Sequence, residues 1–467
     1  MTKHYLNKLS FLNKPMATVT AALWLILMSG ILTTAQTEET TVDSMAALYR
    51  ADAAYFYARL KELHPNLYGV TTRREWENAY QELNEGLDDA GFSEFVVSIS
   101  SFAALAGDGH TNFLPFYVPT PGFEKRLPLR FYVFKDGVYV TATTPVANEA
   151  LGGKVLSVNG HSIEEVLGRL STLIGGDNPQ WALRWAPTLL QIPLYFEGLG
   201  FGAGDAAGLQ SFKLKSPGGE SIELSLKAED LSHAEWIDAR SAVSGEQNFP
   251  HRFASDRAFD FVHWPGADAV YTVYNEVKDE EDETVAQFSE RLFRFIEAGQ
   301  VGRLILDMRD NGGGNNYLSQ PLLHGMIKSS VNRPGGLFIL TGRKTFSAAM
   351  NLVTRAERHT QALFIGEPSA AAPNHYGDPV FEQLPNTGLT YITSTLYWQD
   401  AQPDDKRQWI YPDIPVQETF DDWLRGRDGA IEAALAYKRD PDSEISPPVS
   451  RWTRSSQEGV WSTMLDE

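Results

Sequence analysis

The 467-residue chain contains no cysteine. This absence excludes disulfide bonds, a thiolate nucleophile and cysteine-ligated metal sites within the chain. Basic residues are also scarce, because 40 lysines and arginines stand against 60 aspartates and glutamates, and the formal net charge is −20. Since a surface of this sign repels nucleic acid and anionic lipid headgroups, we expect no nucleic acid partner.

The short motifs of several enzyme classes are absent as well. The sequence has no HExxH pair, no Walker loop and no dinucleotide fingerprint in a strand-to-helix context. The Asp and Asn residues between 310 and 316 lack the spacing of a calcium loop, and next to glycine they are typical of turns. The Asp307–Arg309 pair is interpreted as a structural ion pair. We therefore predict neither a metal ion nor an organic cofactor.

The first 35 residues have the layout of a secretory signal peptide. Lys3, Lys8 and Lys14 precede an apolar run over 17–32, and Thr33-Thr-Ala35 supplies small residues for cleavage. The prediction is export to the periplasm or the exterior. The alternative is an uncleaved anchor, because residues 16–35 are just long enough to span a bilayer, and membrane contact is expected only in that case.

Composition and periodicity predict three folded regions after this segment. Helical spacing predicts a helical region over 42–118. Hairpin signals predict a β-rich module over 125–230, with a Trp- and Leu-rich insertion between about 178 and 208. Alternating strands and helices predict an α/β core over 266–437, and the polar residues 438–467 predict a loosely ordered tail.

Two stretches of the predicted core indicate which chemistry the protein performs. Leu304-Ile-Leu-Asp307 is typical of a buried strand, and it leads into the turn Gly312-Gly-Gly314. The stretch 335–349 predicts another strand, which delivers Ser347 to the start of a helix. Glycines let backbone N–H groups approach a ligand, and a helix N-terminus offers unpaired N–H groups. These are the parts of an oxyanion-stabilising site around a nucleophile, which indicates acyl transfer.

A serine nucleophile requires a base, and the sequence leaves several candidates. His110 is the leading histidine, because the glycines of Gly107-Asp-Gly-His110 give its turn backbone freedom. His375 is the second candidate, and Lys344 is close to the serine in sequence without having to face it. Asp404 and Asp405, on one loop, are the candidates for a carboxylate that orients the base.

The order of these motifs resembles that of the tail-specific, or C-terminal processing, serine proteases, a family that includes the tricorn core protease. The similar elements cover most of 269–416 and are Leu304–Gly314, Thr345–Ala349, Ile365-Gly-Glu-Pro368, Leu384-Pro-Asn-Thr-Gly-Leu389 and Tyr411-Pro-Asp413-Ile-Pro-Val416. The resemblance implies an α/β fold with a crotonase-like ββα core. It also implies a PDZ-like module before the core, to which Gly153–Gly160 is similar.

The resemblance further implies roles for individual residues. Ser347 would be the nucleophile, and the amide of Ala348 would form an oxyanion hole with an amide of Gly312 or Gly313. The commoner branch of the family uses a lysine after the Gly-Glu motif, and residues 366–377 contain none.

The tricorn-like branch instead uses a histidine before the PDZ-like region and an acid before the Pro-Asp motif. His110 matches the position of that histidine, and Asp405, next to Asp404, is the residue assigned to the acid.

The function predicted from the sequence is hydrolysis of peptide bonds in protein or peptide substrates by an exported serine endopeptidase. One alternative is an inactive protein on the same fold that binds a peptide or an apolar ligand. The other is a hydrolase of a non-peptide ester or amide, for which the aromatic residues of 178–208 and Tyr397-Trp398 would suit a sugar.

Overall fold

A computed structural model describes residues 36–113, 115, 120, 122–202, 208–242 and 255–438. Chain contacts divide the molecule after Asp43, and the unit that begins at Ser44 is described below. The predicted signal peptide and all but the first residue of the predicted tail lie outside the described residues. None of the described helices is both long and apolar enough to cross a membrane.

The predicted helical region contains three helices and a short strand. Phe102 of the third helix contacts Phe56 of the first and Trp76 of the second edge to face, so the aromatic faces of all three meet. The second helix begins at a capping box formed by Thr72 and Glu75. The elements are α1 (Gln36–Leu63), α2 (Arg73–Glu85), α3 (Phe92–Ala104) and β1 (Asn112–Phe113).

The predicted β-rich module follows in the chain. Its elements are β2 (Lys125–Arg126), β3 (Leu129–Phe134), β4 (Gly137–Thr143), β5 (Lys154–Val158), β6 (His161–Ser162), α4 (Ile163–Ser171), α5 (Pro179–Leu189), α6 (Pro193–Gly198), β7 (Leu209–Lys215), β8 (Ser221–Lys227), β9 (Glu229–Asp230) and β10 (Ile237–Asp238). Seven of these strands form one sheet, in which β3–β4 and β7–β8 are the two predicted hairpins. The Trp- and Leu-rich insertion contains α5 and α6. The PDZ-like character of the module stays a prediction.

The C-terminal region has the predicted mixture of strands and helices. Its elements are β11 (Phe259–Trp264), β12 (Ala269–Tyr274), α7 (Val285–Gly299), β13 (Arg303–Asp307), α8 (Gln320–Lys328), β14 (Leu337–Thr341), α9 (Ala348–His359), β15 (Leu363–Gly366), β16 (Asn374–Gly377), β17 (Val380–Gln383), β18 (Thr390–Thr393), β19 (Leu396–Gln399), β20 (Ile414–Pro415), α10 (Phe420–Leu424) and α11 (Gly429–Ala436). The mixed α/β fold class is confirmed. The crotonase-like arrangement and the boundaries between the three regions stay predictions.

A six-stranded sheet positions the glycine turn 312–314 and Ser347. Its order is β11–β12–β13–β14–β15–β20, and all neighbours from β12 onward are parallel. Parallel strands end at the same edge of a sheet. The glycine turn after β13 and Ser347 after β14 therefore meet at this edge, although 33 positions separate Gly314 from Ser347.

The helical region is joined to the C-terminal region by strand pairing and by one buried carboxylate. Strand β1 pairs with β18. Asp52 of α1 accepts hydrogen bonds from the N–H groups of Asn386 and Thr387, at 2.9 Å each. The side-chain amide of Asn386 and the hydroxyl of Thr387 also donate to it, at 2.8 and 2.7 Å. Asp52 thus fixes the turn between β17 and β18 on α1.

Removing this carboxylate is expected to destabilise the protein. Asp52→Ala removes the four hydrogen bonds that this buried carboxylate accepts from Asn386 and Thr387, so we expect a loss of about 3 kcal/mol in the free energy of unfolding. Urea denaturation measures this loss. The control is Asp89→Ala, at an exposed position, for which we expect less than about 0.5 kcal/mol. Equal stability of the two variants would contradict the role given to Asp52.

Candidate active site

Ser347 lies in the turn between β14 and α9 with an unusual backbone conformation. Its φ is 57° and its ψ is −130°, a combination that costs a non-glycine residue about 1–3 kcal/mol and is concentrated at functional sites. A serine at this position could merely cap the helix, but its side chain makes no capping hydrogen bond. The hydroxyl of Ser347 is therefore available for chemistry.

The glycine turn packs directly against this serine. A Cβ on Gly313, whose φ is 105°, would lie 2.6 Å from Cβ of Ser347 and 3.0 Å from the nitrogen of Ala348. The N–H of Gly313 is already used, since it donates to the side chain of Asn311 at 2.9 Å. Among the described hydrogen bonds, none uses the N–H of Gly312 or of Ala348. These two amides are thus the open donors beside Ser347.

His110 lies in the loop between α3 and β1 and contacts the turn that carries Ser347. Its ring stacks on Phe346, with centroids 4.3 Å apart, and Phe346 immediately precedes Ser347. Trp181 of α5 stacks on Phe346 at 3.8 Å and so covers the opposite face of that ring. Within the described residues no hydrogen bond joins His110 to Ser347, and Nδ1 of His110 has no partner. Catalytic hydrogen bonds of this kind often form only when substrate is bound.

The surroundings of His110 keep its ring neutral. Burial, and then the nearby His375, lower the pKa of His110 to about 3, against a smaller opposing effect of Asp108. A neutral imidazole is the form in which a general base accepts a proton.

His375, the second candidate base, lies close to His110. The two rings are 6.2 Å apart and nearly parallel. Nδ1 of His375 lies 3.1 Å from the carbonyl oxygen of Ala372, so the proton is on Nδ1 and Nε2 is an acceptor. That Nε2 is buried and has no partner among the described residues. The structure therefore brings both predicted histidines together.

Asp108, which the sequence analysis did not single out, positions the His110 loop. Its buried carboxylate accepts hydrogen bonds from the N–H of His110 at 2.7 Å, from Ser394 Oγ at 2.8 Å and from His64 Nε2 at 2.9 Å. Burial raises the pKa of Asp108, but its hydrogen bonds, led by that from His64, and the neighbouring histidines hold it below its usual range. An aspartate two residues before a turn histidine is a usable sequence signal, because Asp commonly accepts the N–H two residues on.

The remaining predicted residues make other contacts. Asp405 pairs with Arg407 at 2.7 Å, and Arg407 also binds Glu357 of α9 at 2.8 Å. Lys344 binds Asp310 at 2.9 Å. No contact between Asp405 and His110 occurs in the described part of the chain, so its role as the acid of a triad stays a prediction. The exposed Asp404 does not approach His110 through any described contact either.

No group of three or more His, Asp or Glu side chains among the described residues is arranged to hold a metal ion.

The pKa of His110 predicts a pH-dependent loss of stability. The unfolded chain binds a proton at this residue near pH 6.5 but the folded protein only near 3, so the free energy of unfolding falls as the pH drops between these values. From pH 7 to pH 5 we expect a contribution of about 2 kcal/mol, which His110→Gln abolishes. Denaturation curves at both pH values measure it, with His233→Gln at an exposed position as the control. Equal pH dependence in His110→Gln and the wild type would contradict the depressed pKa.

Comparisons with known proteins give structural likeness only. No protein-family model matches the sequence, and no curated protein does. A mutant of CPAF is 13% identical with a TM-score of 0.57, covering 86% of this chain and 99% of that chain. Mature CPAF complexed with lactacystin is 13% identical with a TM-score of 0.56, covering 84% and 97%. The photosystem II D1 C-terminal processing protease is 16% identical with a TM-score of 0.37, covering 79% and 93%. The chain shares the fold of the two CPAF structures, and this shared fold is the finding that supports the predicted resemblance.

Proposed function

We propose that this protein is an exported serine peptidase that hydrolyses peptide bonds in protein or peptide substrates. The observation that carries the proposal is the backbone of Ser347, which is strained and presses against Gly313 while its hydroxyl caps no helix. The stacking of His110 on the adjacent Phe346 supports a serine–histidine mechanism. The proposal includes a crotonase-like core and a PDZ-like module that binds part of the substrate.

The proposed reaction assigns one step to each group. Nε2 or Nδ1 of His110 accepts the proton of Ser347 as Oγ attacks the peptide carbonyl carbon. The N–H groups of Ala348 and Gly312 donate to the oxyanion of the tetrahedral intermediate. His110 then gives its proton to the leaving amine, and a water molecule releases the acyl group from Ser347 by the reverse sequence.

The central experiment is digestion of a peptide mixture by the chain from Gln36 onward, analysed by mass spectrometry. Each peptide is supplied with a free and with an amidated C-terminus. We expect Ser347→Ala and His110→Ala each to lower cleavage by at least about 10³-fold, because both groups act in the same steps. A preference for free ends would make the enzyme tail-specific.

The neighbouring histidine provides the control for the base. We expect His375→Ala to retain more activity than His110→Ala, and the reverse order would assign the base to His375. Absence of cleavage by the folded wild type would contradict the proposal and favour the binding protein or a non-peptide substrate.

Alanine substitutions at two adjacent glycines test the packing of the glycine turn against Ser347. Gly313→Ala places a methyl group against Cβ of Ser347, so we expect kcat to fall at least about 10²-fold. Gly312→Ala keeps its N–H, and its Cβ would meet no atom within 4 Å, so we expect a change below about fivefold. Steady-state kinetics of the two variants compare them directly. Similar losses of kcat in the two variants would contradict the packing of Gly313 against Ser347.

A further inference from the structure

We propose that Asp177 is a subsite for a positively charged group of the substrate, either a Lys or Arg side chain or an N-terminal ammonium. The inference rests on the proposed peptidase function and deepens it. It starts from a buried carboxyl oxygen beside the candidate active site for which the described structure gives no hydrogen-bond partner, Oδ2 of Asp177.

The turn that carries Asp177 is fixed on the loop of the candidate base. The side chain of Asn112 accepts from the N–H of Gly175 at 2.7 Å and donates to its carbonyl oxygen at 2.9 Å. The same side-chain amide donates to the carbonyl oxygen of Gly109 at 3.1 Å. On the other side of Asp177, Asn178 donates to the carbonyl oxygen of Ser369 at 3.1 Å. Asp177 is therefore held from both sides.

The carboxyl group lies close to the reacting groups. The N–H of Gly109, the residue before His110, lies close enough to the carboxyl group to lower its pKa against the larger effect of burial. Gly109 packs on the ring of Phe346, since a Cβ there would lie 2.6 Å from two of the ring carbons. Phe346 in turn precedes Ser347. A substrate group bound to Asp177 would thus belong to a residue near the scissile bond.

The surroundings of Asp177 disfavour its ionised form. Burial and the neighbouring Asp108 raise its pKa well above the usual range, and only the N–H groups of Asp177 and Gly109 act in the opposite direction. Among the described residues, no lysine or arginine is a cause of this pKa shift. A buried carboxylate without a cation is costly, and an ammonium or guanidinium group is the partner that removes the cost.

An aromatic side chain lies within electrostatic reach of Asp177. The pKa of Tyr397 is raised by burial, then by Tyr376 and by Asp177. The ring of Tyr397 is 48% exposed and lies 5.0 Å from that of Tyr376. Aromatic faces pack against the alkyl stems and attract the cationic heads of Lys and Arg. The net charge of −20 also concentrates cationic peptides at the surface.

The test uses matched peptides derived from one peptide that the wild type cleaves. Each position within three residues of the scissile bond is occupied in turn by Lys, Arg, norleucine or Gln, with a free or acetylated N-terminus. At one position we expect Lys or Arg to raise kcat/KM at least 10-fold over norleucine, or the free N-terminus to do so over the acetylated one. In Asp177→Asn we expect this ratio to fall below about 3. The control Asp89→Asn, which removes an exposed charge, is expected to keep it.

The same peptides are titrated onto Ser347→Ala and the double variant Ser347→Ala/Asp177→Asn, so that binding is measured without cleavage. We expect the cationic peptide to bind more tightly than the norleucine peptide only when Asp177 is present. If the wild type cleaves no peptide, the same substitutions are made in a peptide that it binds, so that failure of the peptidase proposal and failure of the subsite stay distinguishable.

Two results would overturn the subsite. One is equal cleavage and binding of cationic and neutral peptides by the wild type, with neutral cleavage still dependent on Ser347. The other is an equal loss of kcat for all peptides in Asp177→Asn with a shifted pH profile, which would mean that Asp177 acts on His110.

Discussion

The hydrogen bonds of Asn311 fix the glycine turn against the turn that carries Ser347. Its buried side chain donates to the carbonyl oxygen of Tyr274 at 2.7 Å and accepts from the N–H of Gly313. Its carbonyl oxygen accepts the N–H of Phe346 at 3.1 Å. Asn311 therefore joins the end of β12, the glycine turn and the turn that carries Ser347. The strained φ of Ser347 persists because these bonds leave its neighbours no alternative conformation.

Most of the fold could be predicted from local patterns. All residues of β14 are buried, and the first four, Leu337 to Leu340, form the apolar run that is typical of such a strand. The Asp307–Arg309 ion pair was predicted and is confirmed at 2.6 Å. Its third member, Asp428 at 2.7 Å from Arg309, lies 119 positions further along the chain and left no local signal.

The candidate site was also predictable only in part, because some of its contacts join residues that are far apart in the sequence. Ser347, His110 and the glycines stand in motifs whose spacing reflects backbone geometry. The pairing of Asp405 with Arg407 and Glu357 depends on how a loop meets α9, which sequence spacing does not encode. The Trp-rich insertion was interpreted as an interruption of the β-rich module, yet its Trp181 stacks directly on Phe346. Contacts between side chains that lie far apart in the sequence could not be predicted from it.

The electrostatics of the site favour charge that arrives with the substrate or develops during reaction. His110 is neutral because burial disfavours its cation, and the pKa of Asp177 is raised because burial disfavours its anion. The ring of His110 and Oδ2 of Asp177 are both buried, so each lies in a low-dielectric region. Interactions with opposite charge are strong in such a region and need little reorganisation. In the proposed reaction, proton transfer to His110 beside a forming oxyanion would relieve the first constraint, and a substrate cation at Asp177 would relieve the second. Burial of these two groups would then favour a reaction path in which opposite charges appear together.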